Sequence, residues 1–151
     1  MARKQLSEIL TQMRNYCARQ DRCHSEMRTK LIKSEVYGDE LEEILSQLVS
    51  EDFLNEERFA RSYVRGKFRM NKWGRFKIRL QLKHKQVSDY CIRKGMEEIE
   101  DEEYNATIDD LLLKKLRGAT DFKSRQKAKE ALIRKGFEPD IVNERLGILS
   151  N

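Results

Sequence analysis

The sequence predicts an all-α fold: three tandem three-helix repeats forming an elongated, curved array, right- or left-handed. Three observations carry that prediction. One residue of 151 is proline and seven are glycine, while 38% are charged and 38% hydrophobic. This composition suits helices with wet outer faces better than sheets, which need more β-branched residues. Apolar residues also recur at spacings of three and four, the stripe of a helix with one buried face. Finally, the stripe itself repeats. Leu31, Val36, Leu41, Leu45 and Leu48 fall on Leu82, Val87, Ile92, Met96 and Ile99 with an offset of 51, and then on Leu132, Phe137, Val142, Leu146 and Leu149 with an offset of 50.

The first repeat spans residues 1–54. Its opening helix is marked by Ile9, Leu10, Met13 and Cys17. Leu31 and Val36 straddle the turn of a helical hairpin, and Gly38 with Asp39 signals the start of the third helix. The second repeat, 55–100, begins with Phe59, Ala60, Tyr63, Val64 and Phe68. Gly74 permits the next turn or opens the next helix, and Trp73 is expected to pack across the hairpin in the core, an exposed Trp73 being instead a candidate binding anchor. In the helix that follows, Phe76, Ile78, Leu80 and Leu82 are all expected in the core, and Ser88 with Asp89 starts the next. The third repeat, 101–151, has Ile108, Leu111, Leu112 and Leu116 in its first helix, Gly136 as a helix C-terminal cap, and Glu138 before Pro139 as a start signal. Fifty residues bury too little surface to stand alone, so neighbouring repeats are expected to lean on one another. The same helices also allow a single nine-helix globule.

Charge is concentrated in the middle repeat. Eleven Lys or Arg residues and no acid lie between Arg58 and Lys85; since the whole chain carries +5, the rest carries 5 − 11 = −6. Arg58, Arg61, Arg65 and Arg69 follow spacings of three, four and four along one side of a helix. Arg75, Arg79 and Lys83 do the same on the next helix. If the two stripes face the same way, they form a groove for phosphate oxygens or an acidic protein surface. A solvated helix face is the plainer reading, but such a face usually alternates signs for i, i+4 pairing, and this window contains no acid to do so. The asymmetry therefore points to a polyanionic partner.

The stretch Glu97–Asp110 has eight acids and no base. Asp101, Glu102 and Glu103 suit the first turn of a helix, where they complement its dipole. The same acids are alternatively placed to meet the basic window or to repel nucleic acid.

Catalytic signatures are missing: there is no Gly-rich phosphate loop, GxGxxG or GxSxG. Cys17, Cys23 and His24 lack CxxC spacing and a fourth ligand, so no metal or other cofactor is expected. His84 has no carboxylate within the window to orient it as a base. Three cysteines in helical context suggest reduced thiols. With no apolar run near the roughly 20 residues that span a bilayer, a cytoplasmic, non-enzymatic monomer without membrane association is expected.

The run Phe53-Leu54-Asn55-Glu56-Glu57-Arg58-Phe59-Ala60-Arg61-Ser62-Tyr63-Val64-Arg65, followed by Lys72-Trp73-Gly74-Arg75-Phe76-Lys77-Ile78-Arg79-Leu80-Gln81-Leu82, resembles the central signature of the RecX regulatory proteins, of the type DERFAxxYV and then KGxxRIxxxL. The chain departs from it at Asn55, at Lys72-Trp73-Gly74, and at Glu35 and Gln86, where a Gly often ends the second helix; Gly136 keeps that glycine. The resemblance implies three tandem three-helix repeats. It also implies a modulator of the RecA recombinase that lies in the groove of the RecA filament on DNA and inhibits ATP hydrolysis, strand exchange and coprotease activity. On charge and spacing, the expected contacts to acidic RecA surface or to phosphates of single-stranded DNA are Arg58, Arg61, Arg65, Arg69, Lys72, Arg75, Arg79 and Lys83. A freestanding helical DNA-binding protein is the alternative.

Overall fold

The computed structural model describes residues 2–150. Nine helices and no strand occur among them: α1 Arg3–Arg19, α2 His24–Lys33, α3 Gly38–Ser50, α4 Glu56–Arg69, α5 Arg75–His84, α6 Asp89–Met96, α7 Asp101–Leu116, α8 Phe122–Arg134 and α9 Pro139–Leu149. They fall into three successive three-helix groups, the all-α tandem arrangement that the repeat predicts. Among the described residues no helix is long and apolar enough to cross a membrane.

Of the fifteen repeat positions, all but Met96 and Leu149 are buried. The turn between the second and third helix of each group is the same Schellman motif. In it, Val36, Val87 and Phe137 donate to the carbonyls of Leu31, Leu82 and Leu132 at 3.0, 3.1 and 3.1 Å. The motif requires a left-handed residue, and Glu35, Gln86 and Gly136 supply it with φ of 63°, 61° and 98°. Two of the three therefore adopt this geometry without being glycine.

Contacts divide the chain into two units, Met1–Ser62 with Leu82–Gly95, and Tyr63–Gln81 with Met96–Asn151, so the division falls within α4 and α5 and at the end of α6. In the first unit, Met13, Cys17, Met27, Leu31, Leu41, Leu45, Leu48 and Leu54 form an apolar cluster. Gly95 of α6 sits so close to α4 that a Cβ there would lie 2.9 Å from the Ala60 carbonyl oxygen. Glu56, at the start of α4, accepts hydrogen bonds from the main-chain N–H of His24 (3.1 Å) and of Ser88 (3.2 Å), and Ser25 Oγ donates to the Lys85 carbonyl at 2.6 Å.

The second unit has an aromatic centre. Phe68, Tyr104 and Phe137 are buried, with ring centres 5.7 and 5.3 Å apart in succession. Gly74 N–H donates to the Lys135 carbonyl at 2.8 Å, Phe76 N–H to the Gly136 carbonyl at 3.0 Å, and Arg75 N–H to the Tyr104 hydroxyl at 3.0 Å. The orphan donors that open α5 are thus satisfied by the α8–α9 turn and by a side chain of α7. Lys85 and Lys135, whose carbonyls serve these two junctions, are 50 residues apart (135 − 85), the period of the repeat.

Four expectations are corrected. Phe76 and Leu80 are 52% and 54% exposed, because Ile78 and Leu82 take the buried side of α5 and positions two residues away point elsewhere on a helix. Trp73 is half-buried under lysines and does not enter the core. α6 ends at Met96, leaving Ile99 buried in the connection to α7; Glu97 and Glu98 follow at once, and acids are unfavourable at a helix C-terminus. Finally, the stripe on α4 does engage in i, i+4 pairing, with an acid just outside the acid-free window: Arg61 Nε lies 3.3 Å from Glu57.

Candidate polyanion-binding surface

Five of the eight expected contact residues are held by acids of their own unit. In the first unit, Arg58 donates to Asp21 at 2.7 Å and lies 3.3 Å from Asp52, and Arg61 pairs with Glu57. The carboxylates of Asp21 and Asp52 hold the Arg58 guanidinium above its usual range, the Asp21 hydrogen bond first. In the second unit, Arg65 pairs with Glu98, Arg69 with Glu103 at 3.2 Å, and Arg75 with Asp101 at 2.7 Å and Glu138 at 3.5 Å.

The acids Glu98, Asp101 and Glu103 all come from the run that precedes and opens α7. Asp101 and Glu103 lie in the first turn of that helix, as the dipole argument expects. They also reach the arginines, so both readings of the acidic stretch hold. Most of these pairs are open to water: the side chains of Arg65 and Arg69 are 42% and 50% exposed. Pairs of this kind contribute little to stability and exchange partners readily. Arg75 differs. Only 19% exposed, it stacks its guanidinium 4.0 Å over the Tyr104 ring centre while its main chain caps α5 through the same residue. Tyr104 in turn donates to Glu138. Arg75 is built into the fold.

Lys72, Arg79 and Lys83 have no ion pair among the described residues. Lys72 occupies a left-handed position (φ 56°) just after α4. Arg79 and Lys83 lie one turn apart on α5.

Sequence reasoning passed over a group of lysines in the second unit. The ammonium groups of Lys67 and Lys77 lie 4.9 and 4.5 Å from the Trp73 ring centre, close enough for cation–π attraction. The main chain of Lys77 is pressed on Gly136, where a Cβ would lie 2.6 Å from the Lys77 nitrogen. This contact brings Lys135 beside α5. Burial first, and then repulsion from Lys115, Lys77 and Lys72, pulls the Lys135 ammonium below its usual range. Lys115 and Lys135 lie outside the acid-free window, in a stretch, residues 114–135, with nine bases and two acids; the excess of base there was a signal in the sequence, but which of its lysines meet α5 is decided by the packing of α7 and α8.

Comparison with known proteins follows the same geometry. Residues 55–96 match the family model described as RecX, second three-helix domain, and residues 101–146 match RecX, third three-helix domain. Regulatory protein RecX of Bacillus cytotoxicus is 28% identical over 142 residues, covering 92% of this chain and 53% of that protein. Regulatory protein RecX of Streptococcus gordonii is 24% identical over 117 residues, covering 77% and 45%. The chain thus spans about half the length of these curated relatives. The crystal structure of RecX from Lactobacillus salivarius superimposes with a TM-score of 0.89 at 24% identity, over 98% of both chains. A second crystal structure, of regulatory protein RecX, gives 0.82 over 93% of this chain and 72% of the other.

Proposed function

The chain belongs to the RecX family of regulatory proteins, and from that premise we propose that it is a non-enzymatic regulator of the RecA recombinase. It binds in the groove of the RecA filament on DNA and inhibits its ATPase, strand exchange and coprotease activities. Beyond family membership, one observation carries this reading: a strongly basic middle segment in which Lys72, Arg79 and Lys83 have no acid partner among the described residues. These three make the first contacts with acidic RecA surface or DNA phosphates. Arg58, Arg61, Arg65, Arg69 and Arg75 add theirs, the exposed ones by exchanging an internal carboxylate for one supplied by the partner.

The test measures RecA ATPase and strand exchange on single-stranded DNA with substoichiometric amounts of this protein. Both are expected to fall, and Arg79→Glu with Lys83→Glu to weaken the effect while helical content is kept. No effect at any ratio overturns the reading.

The basic segment as a whole, eleven bases and no acid from Arg58 to Lys85, favours a second possibility, a freestanding DNA-binding protein. It predicts tight binding to duplex DNA without recombinase, with log affinity falling against log salt at a slope near about −5 if about six phosphates are neutralised. Weak duplex binding beside strong RecA inhibition rejects it.

A further inference from the structure

Four lysines lie beside one tryptophan in the second unit, Lys115 adjoins them through Lys135, and none of the five has an ion pair among the described residues. Lys67 and Lys77 lie over the Trp73 ring. Lys72 immediately precedes Trp73, and Lys135 is tied to α5 through its carbonyl, which accepts from Gly74 N–H at 2.8 Å. Lys115 is near enough to disfavour the charge on Lys135, after burial has done so. Gathering like charges without a counter-charge costs free energy, and α4 shows how this protein avoids that cost elsewhere, by facing its arginines with Glu57, Glu98 and Glu103. Here no such carboxylate is paired with the lysines, and the group is open to a counter-charge from outside.

We propose that Lys67, Lys72, Lys77 and Lys135 form, beside Trp73 and with Lys115 at the edge, a seat for the phosphate backbone of single-stranded DNA. This rests on the RecX reading above and deepens it by naming where nucleic acid is touched. Lysine is a compact charge on a flexible stem and suits phosphates of no fixed geometry, whereas carboxylates are better met by arginine forks. Phe76, 52% exposed three residues on from Trp73, offers flat apolar surface to unpaired bases, and the half-buried indole joins it once phosphates draw Lys67 and Lys77 off the ring. A duplex keeps its bases stacked inside, and an acidic peptide has no ring to place there.

Trp73 is the only tryptophan in the chain, so its fluorescence reports this seat directly and needs no recombinase. Titration with a short oligothymidylate is expected to change the emission, with a log affinity against log salt slope of about −3.5 for about five phosphates. Lys115→Gln with Lys135→Gln is expected to weaken binding on the order of tenfold and to make the slope shallower by about 1.4. Lys72→Gln with Lys77→Gln should do the same, and circular dichroism of both variants should match the parent. Parent-like binding by both variants overturns the proposal. So does binding of polyglutamate, or of a duplex of equal length, as tightly as the single strand. RecA inhibition that persists while oligothymidylate binding is absent overturns the seat and leaves the RecX reading standing.

Discussion

Gly74 and Gly136 meet main chain to main chain in the second unit. A Cβ on Gly74 would lie 2.3 Å from the Gly136 carbonyl carbon and oxygen, and Gly136, with φ of 98°, returns the contact against the Lys77 backbone. Neither main chain can retreat: the N–H groups of Gly74 and Phe76 are bonded to the carbonyls of Lys135 and Gly136. This is where α5 is fastened to the α8–α9 turn.

Gly74→Ala is therefore expected to destabilise the protein by about 3 kcal/mol, the upper range for overpacking against groups that cannot move. Gly66→Ala provides the contrast. Gly66 lies inside α4 with nothing within 4 Å of its added Cβ, so the same substitution should stabilise by about 0.5–1 kcal/mol through helix propensity. Denaturant midpoints of the two variants should move in opposite directions.

The left-handed turns predict a gain. Gln86 is exposed and holds φ at 61°, a conformation that costs a residue bearing a Cβ about 1 kcal/mol or more. Gln86→Gly removes that cost and loses no packing, so the melting temperature should rise by an amount equivalent to about 0.5–1 kcal/mol. Gly136→Ala, at the equivalent turn, should lower it.

Tyr104 joins α5 to the α9 cap, accepting from Arg75 N–H and donating to Glu138. Tyr104→Phe leaves the part-buried Arg75 N–H and the Glu138 carboxylate each short of a partner, and should cost about 1–3 kcal/mol. Burial, and then the Glu138 hydrogen bond, push the phenol well above its ordinary value of 10.0. The unfolded chain therefore releases this proton first, and stability from Tyr104 is complete below pH 10 and declines as pH rises past it. The difference in melting temperature between parent and Tyr104→Phe, followed upward from neutral pH, should shrink above pH 10. A constant difference contradicts the assignment.

The internal ion pairs compete with any external anion. Glu98→Gln, Asp101→Asn and Glu103→Gln together release Arg65, Arg69 and one partner of Arg75. Affinity for oligothymidylate at low salt should rise severalfold, with a steeper salt slope and little change in melting temperature, because Arg65, Arg69 and Asp101 are open to water and Arg75 keeps Glu138 and its stack on Tyr104. Unchanged affinity means that these arginines do not face the nucleic acid.

Much of this protein is legible in its linear pattern because helices are local. Spacings of three and four marked the stripes, Pro139 and Asp89 marked helix starts, and a period of about fifty residues exposed three equivalent turns whose left-handed residues align at 35, 86 and 136. The candidate surface was only half legible. Counting charge found the basic segment, yet it ranked Arg58, Arg65 and Arg69 with Lys72, because Asp21, Glu98 and Glu103, the acids that occupy those arginines, are more than thirty residues away in the chain. Phe76 reads as core in the sequence because Ile78, Leu80 and Leu82 follow it at alternate positions, but a helix has one buried side and Ile78 and Leu82 fill it.

Residue order was enough for the all-α class, the helix starts, the repeat and the family signature, since each depends on contacts within a few residues or on a pattern copied along the chain. Which cations stay unpaired, and that Lys135 joins Lys72 and Lys77 next to Trp73, was settled by packing. Charges act through space, and their neighbours exist only once α7 and α8 have docked against α5 through Gly74, Gly136 and Tyr104.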